Sequence, residues 1–260
     1  MSENGFSNPE RGRTGEGFWK LLGLCLVLAF WQLGSMVLPP LVLASPLAAF
    51  KALFLLLADP GFWVNHFLVT LGRVMAGVGL GALAGFGLGI AAGLNKGIRA
   101  MLEPLRWILM SVPAVVVVVI AMLWFGMGSV MVVFIAGLFL CPLVYVNIVK
   151  GMAALDEKYL EMAEVHGFPL LMRIKDIYIP AICAPLISAL AIVVGNGVRV
   201  TILAEVLGSD LGLGYCLSSA RTALMIPELF ACVLLCLLIV GGLEFAFLKP
   251  LEKRLLQWKQ

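Results

Sequence analysis

Between residues 150 and 180 the chain gathers Asp156, Glu157, Lys158, Glu161, Glu164, His166, Arg173, Lys175 and Asp176, set between two long apolar segments. These types and spacings suit recognition of a partner better than bond-making. The chain has no HExxH, no GxSxG, no acidic metal cluster and no GxxxxGK[ST] phosphate loop, and its two histidines, His66 and His166, are far apart. Asp156 is placed to cap a helix running to His166, with Gly167 just past its end. On a 100° wheel, Leu155, Tyr159, Met162 and His166 fall within about 60° of one another. Glu157, Glu161 and Glu164 fall on the opposite face, so the helix is amphipathic and too short to span a bilayer. Pro169 suits the first turn of a second short helix, and Pro180 starts the next apolar segment. A plain solvated loop lying on a bilayer is the competing reading. A long ordered loop usually has a role, but its order does not name that role.

The second group with chemical potential lies within the apolar segments. Ionisable residues at membrane depth are costly and rare, so Arg73, Arg199, Glu205 and Glu244 stand out, with His66, Asn147, Asn196 and Thr201 as polar companions. One reading has Arg199, Asn196 and Thr201 facing a pathway and meeting an anion. The other has Arg73 and Arg199 near the outer ends, snorkelling or pairing with Glu205, while Asn196 and Thr201 bond between helices. Arg73, Asn147, Asn196, Arg199, Thr201 and Glu205 are therefore the candidate pathway residues. Glu244 is expected to pair with a cytoplasmic Lys or Arg.

The elements that must position these groups follow from hydropathy. The chain has 260 residues, 62% hydrophobic and 13% charged, with mean hydropathy +1.06. Charge near 25% is usual for soluble domains, so the expected solvent is a lipid bilayer. A helical span needs about 20 mostly apolar residues, and six segments qualify: 18–38, 66–94, 103–125, 129–149, 181–203 and 226–248. The expectation is an all-α membrane protein of six transmembrane helices, a single domain over 18–260 with the insert at 150–180, after a disordered cytoplasmic tail at 1–17. The first span reads as an uncleaved anchor rather than a signal peptide, because it is long and lacks a small-x-small site.

Cations divide unevenly along the chain. With the N-terminus inside, Lys and Arg cluster at 11–20, 96–106, 150–175 and 249–259, all on the inner side. Only Lys51, Arg73, Arg199 and Arg221 fall elsewhere. The positive-inside rule then puts both termini and the insert in the cytoplasm.

Between the spans, Ser45-Pro46 reads as the cap of a short external helix over 47–57, and Asp59-Pro60-Gly61 as a turn. Gly77, Gly81, Gly85, Gly89 and Gly93 form a four-residue series that lets helix backbones approach closely. Packing within the chain is the preferred use, with a seam between two copies as the other. Residues 205–215 suggest an external re-entrant or lid-like loop. Pro142 is expected to kink the fourth span. The six cysteines read as small buried hydrophobes, with no metal site or disulfide expected.

The spacing Glu161-x-Ala163-x₃-Gly167-x₉-Ile177-x₂-Pro180 resembles the EAA loop of ABC-importer permeases, departing from it at Met162 and Ile179. Ser45-Pro46, Thr70-Leu71-x-Arg73-Val74-x₂-Gly77, Leu123-Trp124-Phe125-Gly126 and Ala204-Glu205-Val206-Leu207-Gly208-x₃-Gly212-Leu213-Gly214-Tyr215 resemble the nitrate, sulfonate and taurine branch, with departures near Val117 and at Thr201.

That resemblance implies a type I ABC importer permease, MetI-like in fold, in the bacterial inner membrane. It implies that the permease works as a pair, with Leu155, Tyr159, Glu161, Met162, Ala163, His166, Gly167 and Pro180 contacting two cytoplasmic ATP-binding cassette ATPase subunits. ATP and Mg would be used by those subunits, with no cofactor or metal on this chain. An extracytoplasmic substrate-binding protein would dock on 39–65 and 204–225, and a small anion such as nitrate, a sulfonate or taurine would pass. The alternative, an ion-gradient-driven secondary transporter, predicts inverted repeats and mid-membrane acidic pairs, and the sequence shows neither. No nucleic-acid partner is expected.

Overall fold

The computed structural model describes residues 10–155 and 157–243. Among these, every regular element is helical, in the order α1 (Glu10–Val37), α2 (Pro46–Ala58), α3 (Pro60–Phe62), a π-helical turn (Trp63–Phe67), α4 (Leu68–Leu94), α5 (Lys96–Ser111), α6 (Ala114–Phe125), α7 (Ser129–Ala153), α8 (Glu157–Val165), α9 (Leu170–Arg173), a second π-helical turn (Ile174–Tyr178), α10 (Ile179–Gly208), α11 (Leu213–Thr222) and α12 (Ile226–Leu243). Apolar lengths sufficient to cross a membrane occur at Phe18–Val37, Pro60–Leu94, Ser129–Ala153, Pro185–Gly208 and Ile226–Leu243.

The third expected span departs from expectation. Residues 103–125 do not form one straight helix: α5 and α6 meet at 101°. The cause is local, because Pro113 holds the preceding Val112 in extended geometry (φ −74°, ψ 131°). The α5 helix also begins earlier than expected, at Lys96, where Asn95 accepts from the Gly97 and Ile98 amides. Pro142, by contrast, sits inside an α7 that runs unbroken from Ser129 to Ala153.

At the chain start, α1 reaches back to Glu10, into the stretch expected to be a disordered tail. Its apolar window buries nothing; it is tied on by Trp31, whose indole donates to the Ala44 carbonyl at 2.9 Å and stacks near Phe230. Ser45 caps α2 as expected, accepting from Ala48 N. Asp59-Pro60-Gly61 is a helix start rather than a free turn: Asp59 accepts from Gly61 N, and the chain runs on helically to Leu94.

The core lies where α4, α7 and α10 meet. Gly77, Gly81, Gly85, Gly89 and Gly93 of α4 step along Ala136, Leu140, Val144, Ile148 and Met152 of α7, four residues at a time on both helices. Both series rise together, so the two helices run parallel. A Cβ at Gly85 would sit 2.4 Å from the Cys141 carbonyl. The glycine series is thus a seam within the chain. On the other flank of α7, Ala136, Leu140, Val144, Ile148 and Met152 pack with Ile182 and Val193 of α10, and Gly151 admits the Pro185 ring. Of the cysteines, Cys232 is buried, Cys25 and Cys183 are exposed, contrary to the expectation of burial, and the Cys216 and Cys232 sulfurs lie 3.1 Å apart as free thiols.

Gly85→Ala is expected to destabilise the protein by about 1–3 kcal/mol through overpacking. Gly87→Ala, with nothing within 4 Å of its new methyl, is expected to be neutral or slightly stabilising. Thermal melts of the two detergent-solubilised variants measure the difference.

Candidate functional site: the inter-span insert and the far-end clamp

The insert between α7 and α10 folds as two short helices broken at one glycine. In α8, His166 N donates to Met162 O at 3.0 Å, and Phe168 N reaches back to Ala163 O at 2.9 Å. Gly167 sits at φ +64°. The first of these bonds is the last regular α-helical one; the second, spanning five residues around Gly167, is the capping bond of a helix end that needs a left-handed residue, which glycine takes at least cost. Pro169 then starts the second turn, its carbonyl accepting from Met172 N and Arg173 N, and Arg173 Nε donates to Phe168 O at 3.0 Å. The second π-helical turn delivers the chain into α10.

Burial across α8 differs from the wheel. Ala163 is fully buried, whereas Met162 is 46% exposed and His166 is exposed, its Nδ1 donating to Met162 O. Leu155 is half-buried; Glu161, Gly167 and Pro180 are exposed. Of the expected apolar stripe, Met162 and His166 therefore do not turn into this chain; Ala163 does. Asp156 and the side chains of Tyr159, Glu157 and Glu164 lie outside the described residues.

At the opposite end of α7 and α10, the six candidate pathway residues separate. Arg73 and Glu205 form a buried ion pair, Nη1 to Oε1 at 2.9 Å, with side chains 4% and 0% exposed. Arg73 Nη1 also donates to Ser209 Oγ and Leu211 O, each at 2.8 Å, and Nε donates to Ser129 Oγ. Glu205 accepts from Thr70 Oγ1 and Gly214 N, and Leu213 N donates to Thr70 Oγ1. A buried charge pair persists where its remaining donors and acceptors are also met, and here they are. Glycine is required twice: a Cβ at Gly212 (φ +102°) or at Gly214 would fall 2.4 Å from the Glu205 side chain. His66 closes the cluster, donating to Gly212 O at 3.1 Å and stacking on Tyr215.

Glu205 therefore belongs to α10, not to a lid. The loop is short, 209–212, and α11 follows it, docked against α10. Arg73 and Glu205 are structural partners, as the second sequence reading allowed. The pairing of Thr70, Ser129 and Ser209 with them was not anticipated. Asn147 and Asn196 each donate to the carbonyl four residues back, Leu143 O and Ile192 O. Thr201 is fully buried, its hydroxyl without a partner among the described residues. Arg199 is exposed on α10, on a stripe with Ser188, Ile192 and Gly195. Glu244 lies outside the described residues.

Comparison with known proteins shows the family. Residues 77–255 match the model of the binding-protein-dependent transport system inner membrane component family. The chain belongs to this family. It is a permease subunit of an ABC importer, a multi-pass inner-membrane protein. Among its relatives is the putative aliphatic sulfonates transport permease SsuC of Bacillus subtilis, 30% identical over 254 residues, covering 95% of this chain and 90% of the relative. The taurine transport permease TauC of Escherichia coli is 24% identical, covering 90% of this chain and 86% of the relative. In fold, the chain is similar to a chain of the MetNI methionine ABC transporter in inward-facing conformations, with TM-score 0.62 at 15% identity, covering 75% of this chain and 98% of that one.

Arg73→Leu alone should cost about 3–5 kcal/mol, since it strands a buried carboxylate. Adding Glu205→Leu should recover part of that loss. A double-mutant cycle by thermal unfolding in detergent measures the coupling.

Proposed function

We propose that this permease works as a pair that carries a small oxyanion, of sulfonate type, inward across the membrane, driven by cytoplasmic ATP-binding cassette subunits that hold the ATP and Mg. The chain itself performs no catalysis. Its insert is the coupling element. The observation that carries this is the exposure of Met162 and His166, two members of the apolar stripe, beside the left-handed Gly167 bend, in a helix too short to span. Leu155, Tyr159 and Pro180 frame the same contact, and buried Ala163 anchors α8 to the chain. The basic clusters near Lys96, Lys150 and Arg173 support a cytoplasmic insert and cytoplasmic termini. An extracytoplasmic binding protein would dock on the opposite end, where α2 and α11 lie.

The oxyanion reading rests on Arg199 and on the relatives' names. An arginine at bilayer depth avoids lipid and faces a bundle interior or a water-filled path. Arg199 is exposed in the single chain, so the α10 face bearing Ser188, Ile192 and Gly195 is the expected wall of the pathway. Arg73, Glu205 and Thr201 are buried in the chain and do not line it; Asn147 and Asn196 bond their own helices. No observation favours an ion-gradient mechanism: Glu205, which a proton relay would need free, is held by Arg73, Thr70 and Gly214.

In the reconstituted complex with its ATPase and binding protein, Gly167→Val should leave the permease in the membrane while abolishing ATP-driven uptake, because a β-branched residue strains at φ +64°. Uptake retained at the parent rate would contradict the coupling role. Arg199→Ala should raise the half-saturating concentration for uptake of an aliphatic sulfonate by about tenfold, the loss of one charge-assisted contact. Unchanged affinity and unchanged substrate-stimulated hydrolysis would remove Arg199 from the pathway.

A further inference from the structure

A crevice between α4, α5 and α7 carries a polar demand that the described residues leave unmet. Its walls are Leu88, Leu102, Leu109 and Pro142, and Arg106 and Tyr145 also line it. Tyr145 is 4% exposed, and its hydroxyl has no hydrogen-bond partner among the described residues. A buried hydroxyl in apolar surroundings calls for an acceptor. Arg106 is paired to Glu103, one turn back on α5 and 52% exposed. A single oxyanion would answer both groups, accepting from the hydroxyl and from the guanidinium. The walls then ask that this anion carry a hydrocarbon tail.

The placement of α5 supports the same ligand. Lys96, Arg99, Glu103 and Arg106 fall within about 80° on the helical wheel, and Met101, Leu105 and Ile108 lie on the opposite side. All three of these apolar side chains are exposed. A helix so divided, turned 101° from α6, is built to lie along a membrane interface. Lys150, in the last turn of α7, marks the same end of the bundle. Tyr145 is five residues further in, about 7 Å along the helix axis, close to where a lipid's phosphate and glycerol lie beneath a basic rim.

We propose that this crevice is a binding site for an anionic phospholipid. The phosphodiester accepts hydrogen bonds from Arg106 and from the Tyr145 hydroxyl, and an acyl chain lies along Leu88, Leu102 and Leu109. Three cations against one carboxylate on the α5 polar face select a net-negative headgroup over a zwitterionic one.

Native mass spectrometry of the full chain in detergent tests this site without reference to transport. Phosphatidylglycerol and phosphatidylcholine with matched acyl chains are added at equal concentration, with glycerol 3-phosphate as a soluble competitor. Phosphatidylglycerol should be retained preferentially, and glycerol 3-phosphate should not displace it. Tyr145→Phe removes only a hydroxyl without a partner among the described residues, so the fold is kept; retention should fall roughly tenfold, and by a similar factor in Arg106→Gln. Equal retention of both lipids, or undiminished retention in both variants, would overturn the site. Displacement by glycerol 3-phosphate or by an aliphatic sulfonate would overturn it too, showing a soluble-anion site instead.

Discussion

A buried arginine–glutamate pair organises one end of this membrane protein. Arg73 on α4 and Glu205 on α10 are charges that lipid would not tolerate singly. Each is stable only because the other is present and because Thr70, Ser129, Ser209 and the Leu211, Gly214 backbone complete their hydrogen bonds. That demand dictates local sequence well beyond the pair. It fixes glycine at 212, where a side chain would strike the carboxylate, and at 214, where one would strike Glu205 Cβ and the α10 backbone. It also brings the start of α7 and the loop before α11 to one point, so four segments end together.

From that clamp, α4, α7 and α10 run as a packed unit. The glycine series of α4 lies in van der Waals register with Ala136, Leu140, Val144, Ile148 and Met152, whose other sides meet α10. Interiors this dense shift between discrete packings and do not deform smoothly. The insert emerges from the other end of the same unit, between α7 and α10. A force applied to α8 is therefore carried to the far end by a body with few soft points. On the coupling role proposed for the insert, this packed unit is what would carry a push at α8 to the opposite end.

Much of this was legible in the residue order, for identifiable reasons. Length and apolarity locate the spans, Ser45 announces the α2 cap, and Gly167 marks the break after α8, because each effect acts within a turn or two of helix. The four-residue glycine period correctly implied close backbone approach. What was hidden depends on distance or on direction. Hydropathy averages over a window, so it read α5 and α6 as one span and missed the bend at Val112-Pro113. Arg73 and Glu205 are 132 residues apart, and no local signal said which of the polar residues would pair. Glu205 was assigned to a loop because the glycines after it dominate the local pattern, although α10 continues to Gly208. The wheel of α8 says which residues share a face but not where that face points: a helix shows a face inward or outward with the same sequence, and only the fold reveals that Ala163 turns in while Met162 turns out.

The displayed face of α8 makes the account testable by direct chemistry. A photo-reactive amino acid placed at Met162 or Val165, and for comparison at Asp210 at the far end, can be activated in intact membranes and its adducts identified by peptide sequencing. The account predicts that positions 162 and 165 join to an ATP-binding cassette subunit and that position 210 does not. Adducts at 210 but not at 162 or 165, or no ATPase adduct at either insert position, would contradict it.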